Sequence, residues 1–472
     1  MKTSLHQIRQ DMKEPAQRAL LLIALIPLFP EYISFFIVVF AGIFAWQAMR
    51  QNNQPIRIGF IGKLLIAYIG YMLLTTVYSR NPLSTFFTAL MWVFLFAIYL
   101  ILYNLLTDTD RYDSMMLYIS GVAAIVGLLA CCQYRIGFYV PNMSNQIWVW
   151  LDNIVYSWLH VDLKQPVYVL RACSTFANPN ILSEYLTAVA PFVVYFNFYE
   201  RRPELRLFCR TCLILTFGGV LFSFCRGGYL ALLVLAVALI ALNIRHRFST
   251  VTLYTISAAL LLPDEVVERF LTILPGIKLG GTILGSAELN STGAILSDEN
   301  FNTTADILNN TNTDFAINER FQIWLESLVR FLQKPVFGYG AGVETTSGLL
   351  LEQGVKAPHV HNIIIQLLLE GGIIALVIML LIGAKVTKNG IELIRNGYGY
   401  SFWIGFALLG FASSFCIQGM VDYPLLTPKL VCNFMMIMAL AEQAVSLYTA
   451  KSIPVRKKLR NQWRKVRGKT KA

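Results

Sequence analysis

Charge is scarce in this chain. Of its 472 residues only 14% are Asp, Glu, Lys or Arg, whereas 56% are hydrophobic. That balance excludes a water-soluble globular protein and fits a polytopic membrane protein. Most of the eight cysteines, Cys131, Cys132, Cys212 and Cys432 among them, sit inside apolar runs, and the single Cys-x-x-Cys spacing, Cys209 to Cys212, has no second pair to complete a four-cysteine site. They read as small buried apolar side chains, which excludes a disulfide framework and a zinc site. No basic stripe is interleaved with aromatics, so the net charge of +12 does not point to nucleic acid; its carriers are spread over short connections and one tail. Met1–Arg18 is polar and the apolar run after it continues into a second span, so no cleavable signal peptide is expected.

Apolar sequence is abundant instead. Runs long enough to cross a bilayer, or nearly so, fall at roughly 19–30, 31–49, 63–78, 85–106, 115–137, 180–198, 207–223, 228–244, 250–262, 361–384, 401–418 and 427–448. An all-α polytopic membrane protein with about 12 transmembrane helices is therefore expected. The runs at 19–30 and 250–262 are short enough to be half-spans. With the N-terminus in the cytoplasm, alternation places 27 of the 39 Lys and Arg residues in inner segments, as the positive-inside rule requires. Both termini are then cytoplasmic.

The spans divide the chain as 1–262 (spans 1–9), 263–360 (a large outer loop between spans 9 and 10), 361–448 (spans 10–12) and 449–472 (a basic cytoplasmic tail). Within the first part, Ile147, Leu151, Ile154, Val155, Trp158 and Leu159 recur at helical spacing, which predicts an interfacial helix near 147–160. The outer loop should be flexible over 276–318, which is rich in Gly, Asn, Thr and Ser, and ordered over 319–360. The tail carries ten Lys or Arg residues after Ala450. It reads either as a helix on an anionic inner leaflet or as a solvated tail that fixes topology.

Polar side chains gather on the outer side. They include Arg171 ahead of Ser174-Thr175-Phe176 and Asn178-Pro179-Asn180, Arg226 in the turn Ser223-Phe224-Cys225-Arg226-Gly227-Gly228, and Glu319-Arg320 ahead of Trp324. Gly338-Tyr339-Gly340-Ala341-Gly342, then His359-Val360-His361-Asn362, Glu370 and Asp422 complete the set. Taken singly, each has an ordinary reading: a flanking residue, a side chain reaching the headgroups, a surface ion pair or a turn cap. Together they suit chemistry, because arginine's planar fork binds phosphate in a bidentate way and histidine can move a proton near neutral pH. An arginine in so short an outer turn as 223–228 is unexpected by the positive-inside rule, and the two glycines beside it allow close backbone approach.

In their order and spacing these motifs resemble the O-antigen ligase and O-antigen polymerase superfamily of membrane glycosyltransferases, over about residues 165–440. The chain departs from that family's usual pattern at Cys225, where serine is common, and at Ala375, where glycine is common. The resemblance implies a GT-C-like transferase in the bacterial cytoplasmic (inner) membrane, with its active site on the outer face. The donor would be a glycan on a polyprenyl (undecaprenyl) pyrophosphate, and the acceptor a sugar hydroxyl on a glycan or glycolipid. The lipid bilayer is the other partner; no nucleic acid is expected. The reaction would be metal-independent and without cofactor, in keeping with outer segments that carry no Asp-x-Asp motif. Arg171, Arg226 and Arg320 would hold the pyrophosphate, with Arg226 and Arg320 acting in catalysis beside His361, which takes or orients the acceptor proton. His359 and Asn362 would shape the acceptor side. Glu319 and Glu370 would support the site, and Asp422 would orient a histidine or an arginine. The alternative is a transporter, since relatives of this superfamily have been described as bicarbonate carriers. A carrier should place its polar groups near the bilayer midplane, whereas these sit at one mouth.

Overall fold

The computed structural model describes residues 14–136, 171–199, 203–242, 313–355, 357–396 and 399–469. Among these, every regular element is helical: α1 (Pro15–Leu25), α2 (Glu31–Gln51), α3 (Phe60–Thr75), α4 (Pro82–Leu105), α5 (Thr109–Ile136), α6 (Pro179–Tyr199), α7 (Pro203–Phe222), α8 (Arg226–Leu242), α9 (Thr313–Gln333), α10 (Val343–Leu351), α11 (Ile363–Asn396), α12 (Tyr400–Val421) and α13 (Pro428–Lys469). Six of them, α2, α4, α5, α11, α12 and α13, are long and apolar enough to cross a membrane, and α1, α3, α7 and α8 contain shorter apolar stretches. Every apolar run read from the sequence falls on a helix except 250–262, which lies outside the described residues, as do the expected interfacial helix near 147–160 and residues 276–312 of the segment 276–318 expected to be flexible; 313–318 instead form the start of α9. The tail continues α13 as helix to Lys469.

Local chemistry sets the helix starts. Asn81 caps α4 by accepting from the Ser84 N–H, with Pro82 at the first helical position; Asn178 does the same for α6 through the Ile181 N–H, ahead of Pro179. Asn362 accepts from the N–H groups of Ile364 and Ile365 and so starts α11.

Within a bilayer, helices gain little from the hydrophobic effect by associating, so close packing at small residues matters more. The contact of α5 with α7 is built that way: a side chain on Gly219 would meet the Gly127 backbone at 2.8 Å. Gly390 and Gly405 serve the pair α11–α12 in the same manner. In α13, 72% of the apolar window is buried, against 33% in α2, so α13 is central and α2 peripheral. Exposed side chains along α2 and α4, such as Phe36, Phe40, Trp46, Leu83 and Phe87, are the apolar outer surface a lipid environment accepts.

The segment between α9 and α10 clasps the bundle. The N–H groups of Tyr339 and Gly340 donate to the carbonyls of Leu369 and Glu370, at 2.9 and 2.8 Å, and the Ile373 N–H donates to Pro335. From the other side Arg80 N–H donates to the Tyr339 carbonyl. Gly340 has φ +99, and a Cβ there would collide with Ser79 Oγ. Gly340→Ala should therefore cost about 1–3 kcal/mol. Gly383→Ala, where a Cβ meets nothing within 4 Å, should be neutral or stabilising. Thermal unfolding of the two variants in detergent checks the contrast.

Candidate functional site

Four non-glycine residues among those described have positive φ: Asn53, Ser174, Phe224 and His361. Three of these lie in the loops that carry the sequence motifs. Backbone held in this sparsely populated region costs free energy and tends to persist at functional sites. The loops are pinned to one another. The Ala172 N–H donates to the Phe222 carbonyl, and Arg171 Nε donates to the Ser223 carbonyl at 3.0 Å.

Asp422, at the end of α12, is the hub. Its Oδ1 faces His359 Nε2 at 2.8 Å and His361 Nδ1 at 3.1 Å, and also accepts from the Tyr423 N–H at 2.9 Å. Asn180 Nδ2 donates to Oδ2 at 3.0 Å. Arg171 Nη2 in turn donates to Asn180 Oδ1 at 2.8 Å, which fixes the amide's orientation. Burial alone would raise the Asp422 carboxyl, but hydrogen bonds from the two imidazoles and their attraction outweigh it and hold the group well below the usual carboxylate range. An ionised carboxylate only accepts, so both histidines donate to it. In a neutral imidazole this leaves the lone pair on Nε2 for His361 and on Nδ1 for His359.

The two histidines are not equivalent. His359 is 6% exposed, and its Nδ1 is buried without a hydrogen-bond partner. The side chain of His361 is 23% exposed and has φ +54. Their ring centroids are 4.0 Å apart. The buried ring of His359 thus packs against the more exposed ring of His361. The Asn362 carbonyl caps α11 and its amide donates to the Met420 carbonyl at 3.3 Å, so this side chain ties α11 to α12.

Arg226 opens α8, half-buried, beside the same helix end. A Cβ on Gly227 would meet Gln418 Oε1 at 2.5 Å and Val421 at 2.7 Å, and one on Gly228 would collide with Ser183 Oγ. The two glycines let the turn seat against α12 and α6; close approach is required, and helices are what approach. Arg320 is half-buried on α9, one helical turn before Trp324, whose indole N–H donates to the Val360 carbonyl at 3.0 Å. This bond joins α9 to the His359–His361 loop. Glu319 lies on α9 with its side chain outside the described residues.

Glu370 belongs to a separate buried network. Its Oε1 accepts from Gln366 Nε2 at 2.9 Å and from the Gly342 N–H at 3.2 Å, and Oε2 faces Tyr423 OH at 3.4 Å. Gln366 Oε1 accepts from the Val360 N–H at 2.8 Å. Glu370 therefore holds the Gly338–Gly342 segment and the His loop by way of Gln366, while neither Glu370 nor the glycines bond directly to the histidines.

Sequence reasoning missed several supports. Gln133 takes the N–H groups of Cys173 and Ser174 and donates to the Ser174 carbonyl. Buried Lys429 donates to the Thr175 carbonyl at 2.5 Å and lies 4.9 Å over the Phe176 ring. A polar side chain alone in an apolar span was the available signal for Gln133. Lysine at the first turn of the last span was the signal for Lys429.

Among the described residues, His359, His361 and Asp422 also form a possible metal site, their donor atoms all within 4.8 Å of one another. Two imidazoles and a carboxylate are a donor set that transition metals accept.

Residues 211–380 match the family model described as O-antigen ligase. No curated protein matches the chain. The matched segment contains Arg226, Arg320, His359, His361 and Glu370, whereas Arg171, Asn180 and Asp422 lie outside it.

The depressed Asp422 carboxyl sets a pH dependence of stability. Its contribution is full above the unfolded carboxyl's value of about 3.9 and is lost as pH falls below that. Asp422→Asn should lower stability by about 1.5–3 kcal/mol at pH 7, the range for hydrogen bonds to a charged group. The gap to wild type should narrow on acidification to pH 3. Unfolding of both proteins across that range measures it.

Proposed function

We propose, from the premise that residues 211–380 match the O-antigen ligase family model, a glycosyltransferase that moves a glycan from a polyprenyl pyrophosphate to an acceptor sugar hydroxyl at the outer face of the cytoplasmic membrane. Membership supports a ligase- or polymerase-type role in polysaccharide synthesis. The observation that carries the mechanism is the Asp422–His361 pair. Nδ1–H of His361 donates to the carboxylate, which leaves Nε2 as the basic atom of a side chain that is 23% exposed. This is the arrangement by which a carboxylate orients a general base.

In the proposed step the acceptor hydroxyl gives its proton to His361 Nε2 as its oxygen forms a bond to the donor's anomeric carbon. The bond from that carbon to the phosphate oxygen breaks, and the lipid pyrophosphate leaves with the electron pair. Attack opposite the leaving group inverts the anomeric carbon. Arg171, Arg226 and Arg320 bind the pyrophosphate and stabilise its growing negative charge, a role that needs no metal. His359, Asn180 and Asp422 are positioning residues. Glu319 and Glu370 support the elements that carry Arg320 and the His loop. The polar groups of the spans favour this reading over a carrier, because Gln366, Glu370 and Gln418 are tied to the loops at the same mouth.

A second reading follows from the donor set of the histidines and Asp422: a bound transition metal could take the place of the hydrogen bonds. Reconstituted transfer from a polyprenyl-pyrophosphate glycan, with and without EDTA, separates the two. Transfer should survive EDTA, and His361→Ala should lower it by about 10²–10⁴-fold, the usual contribution of general acid–base catalysis. Arg226→Ala should lower it about 10²–10³-fold, as when one electrostatic donor is lost. Loss in EDTA with recovery on adding Zn²⁺ or Mn²⁺ would establish the metal reading. Unchanged transfer in both variants would remove the site assignment.

A further inference from the structure

Helix α9 is amphipathic in a way that transfer chemistry does not explain. On one face Ile323 is 7% exposed and Ser327 0%, and Trp324 bonds to the His359–His361 loop. On the other, Phe321 is 63% exposed, Leu325 52%, Val329 47% and Leu332 71%. A row of large apolar side chains facing water on a protein's outer loop would be costly, and contiguous patches of this kind mark an interaction surface.

The patch is continuous with the lipid-facing surface of the bundle. Beyond α9 it runs through Val336 and Phe337, 46% and 53% exposed. The Phe337 ring lies 5.8 Å from that of Tyr78, just past α3, where Val77 is 84% exposed. Pro335 accepts from the Ile373 N–H, and Ile373 and Val377 continue the apolar strip down α11. α11 breaks at Gly372 (φ +62, ψ −160), and the residue just past the break, Ile373, is the one held by Pro335. The basic side chains Arg320, Arg330 and Lys334 accompany the helix, the pattern of helices that lie among headgroups.

We infer that α9 is an interfacial helix, with Phe321, Leu325, Val329 and Leu332 set among the lipid chains of the leaflet on the site's side. Through the Trp324–Val360 bond it holds the His359–His361 loop at the depth of lipid phosphates. A lipid surface is favoured over a second copy of the chain because the strip has no end: it merges into side chains that the spans already present to lipid. The inference does not depend on the transfer reaction.

The test places the photoreactive residue p-benzoyl-phenylalanine at Leu325, Leu332 or, as control, the exposed Gln353, in the full chain in liposomes of phosphatidylcholine and phosphatidylglycerol. The new side chain is apolar and the first two positions are exposed, and thermal unfolding confirms that the fold persists. After irradiation, mass spectrometry should find phospholipid adducts from 325 and 332 at least several-fold above those from 353. Adducts to another copy of this chain alone, or yields no higher than the control's, would overturn the inference.

Discussion

A single carboxylate organises this end of the molecule. Asp422 is buried, and a buried charge is tolerated only where donors replace the water it has lost. Two imidazoles, an asparagine amide and a backbone N–H do so. Each donor comes with a structural demand. His361 must adopt a left-handed backbone, and Asn180 must be held by Arg171. Arg171 must in turn be anchored on the 223–228 turn. The three strained loops and the paired glycines against α12 and α6 follow from bringing these groups to one oxygen pair.

The fold was legible where it depends on local pattern. Hydropathy located the apolar helices among the described residues, six of them long enough to cross a membrane, and asparagine followed by proline at 178–179 marks a helix start that the structure uses. The site was half legible. The loops were recognisable as motifs, because glycine, histidine and arginine at the mouths of apolar runs are out of place there. Their mutual roles were not. The partners Asp422 and His359 are 63 residues apart, and Asn180 is 242 from Asp422; neither bond leaves a periodicity behind. Glycine was the most ambiguous letter. In 338–342 and 227–228 it signals close approach, and sequence alone cannot say whether a ligand or another helix does the approaching; here backbone and side chains of the protein do.

Two structures flank the His loop, and they differ in kind. The Glu370–Gln366 network behind it is buried inside the bundle, suited to holding one geometry. Helix α9 in front is joined to it by an indole hydrogen bond and carries an apolar face outward. Rigid support on one side and a membrane-facing element on the other let one short loop answer both to the bundle and to the bilayer.

The hub also has a consequence for biogenesis. Asp422 is synthesised 61 residues after His361 and 242 after Asn180. While the ribosome is still translating α12, the histidines and the asparagine have already been made, yet the acceptor that fixes their orientation has not. The arrangement of these side chains can therefore form only once the end of α12 is in place.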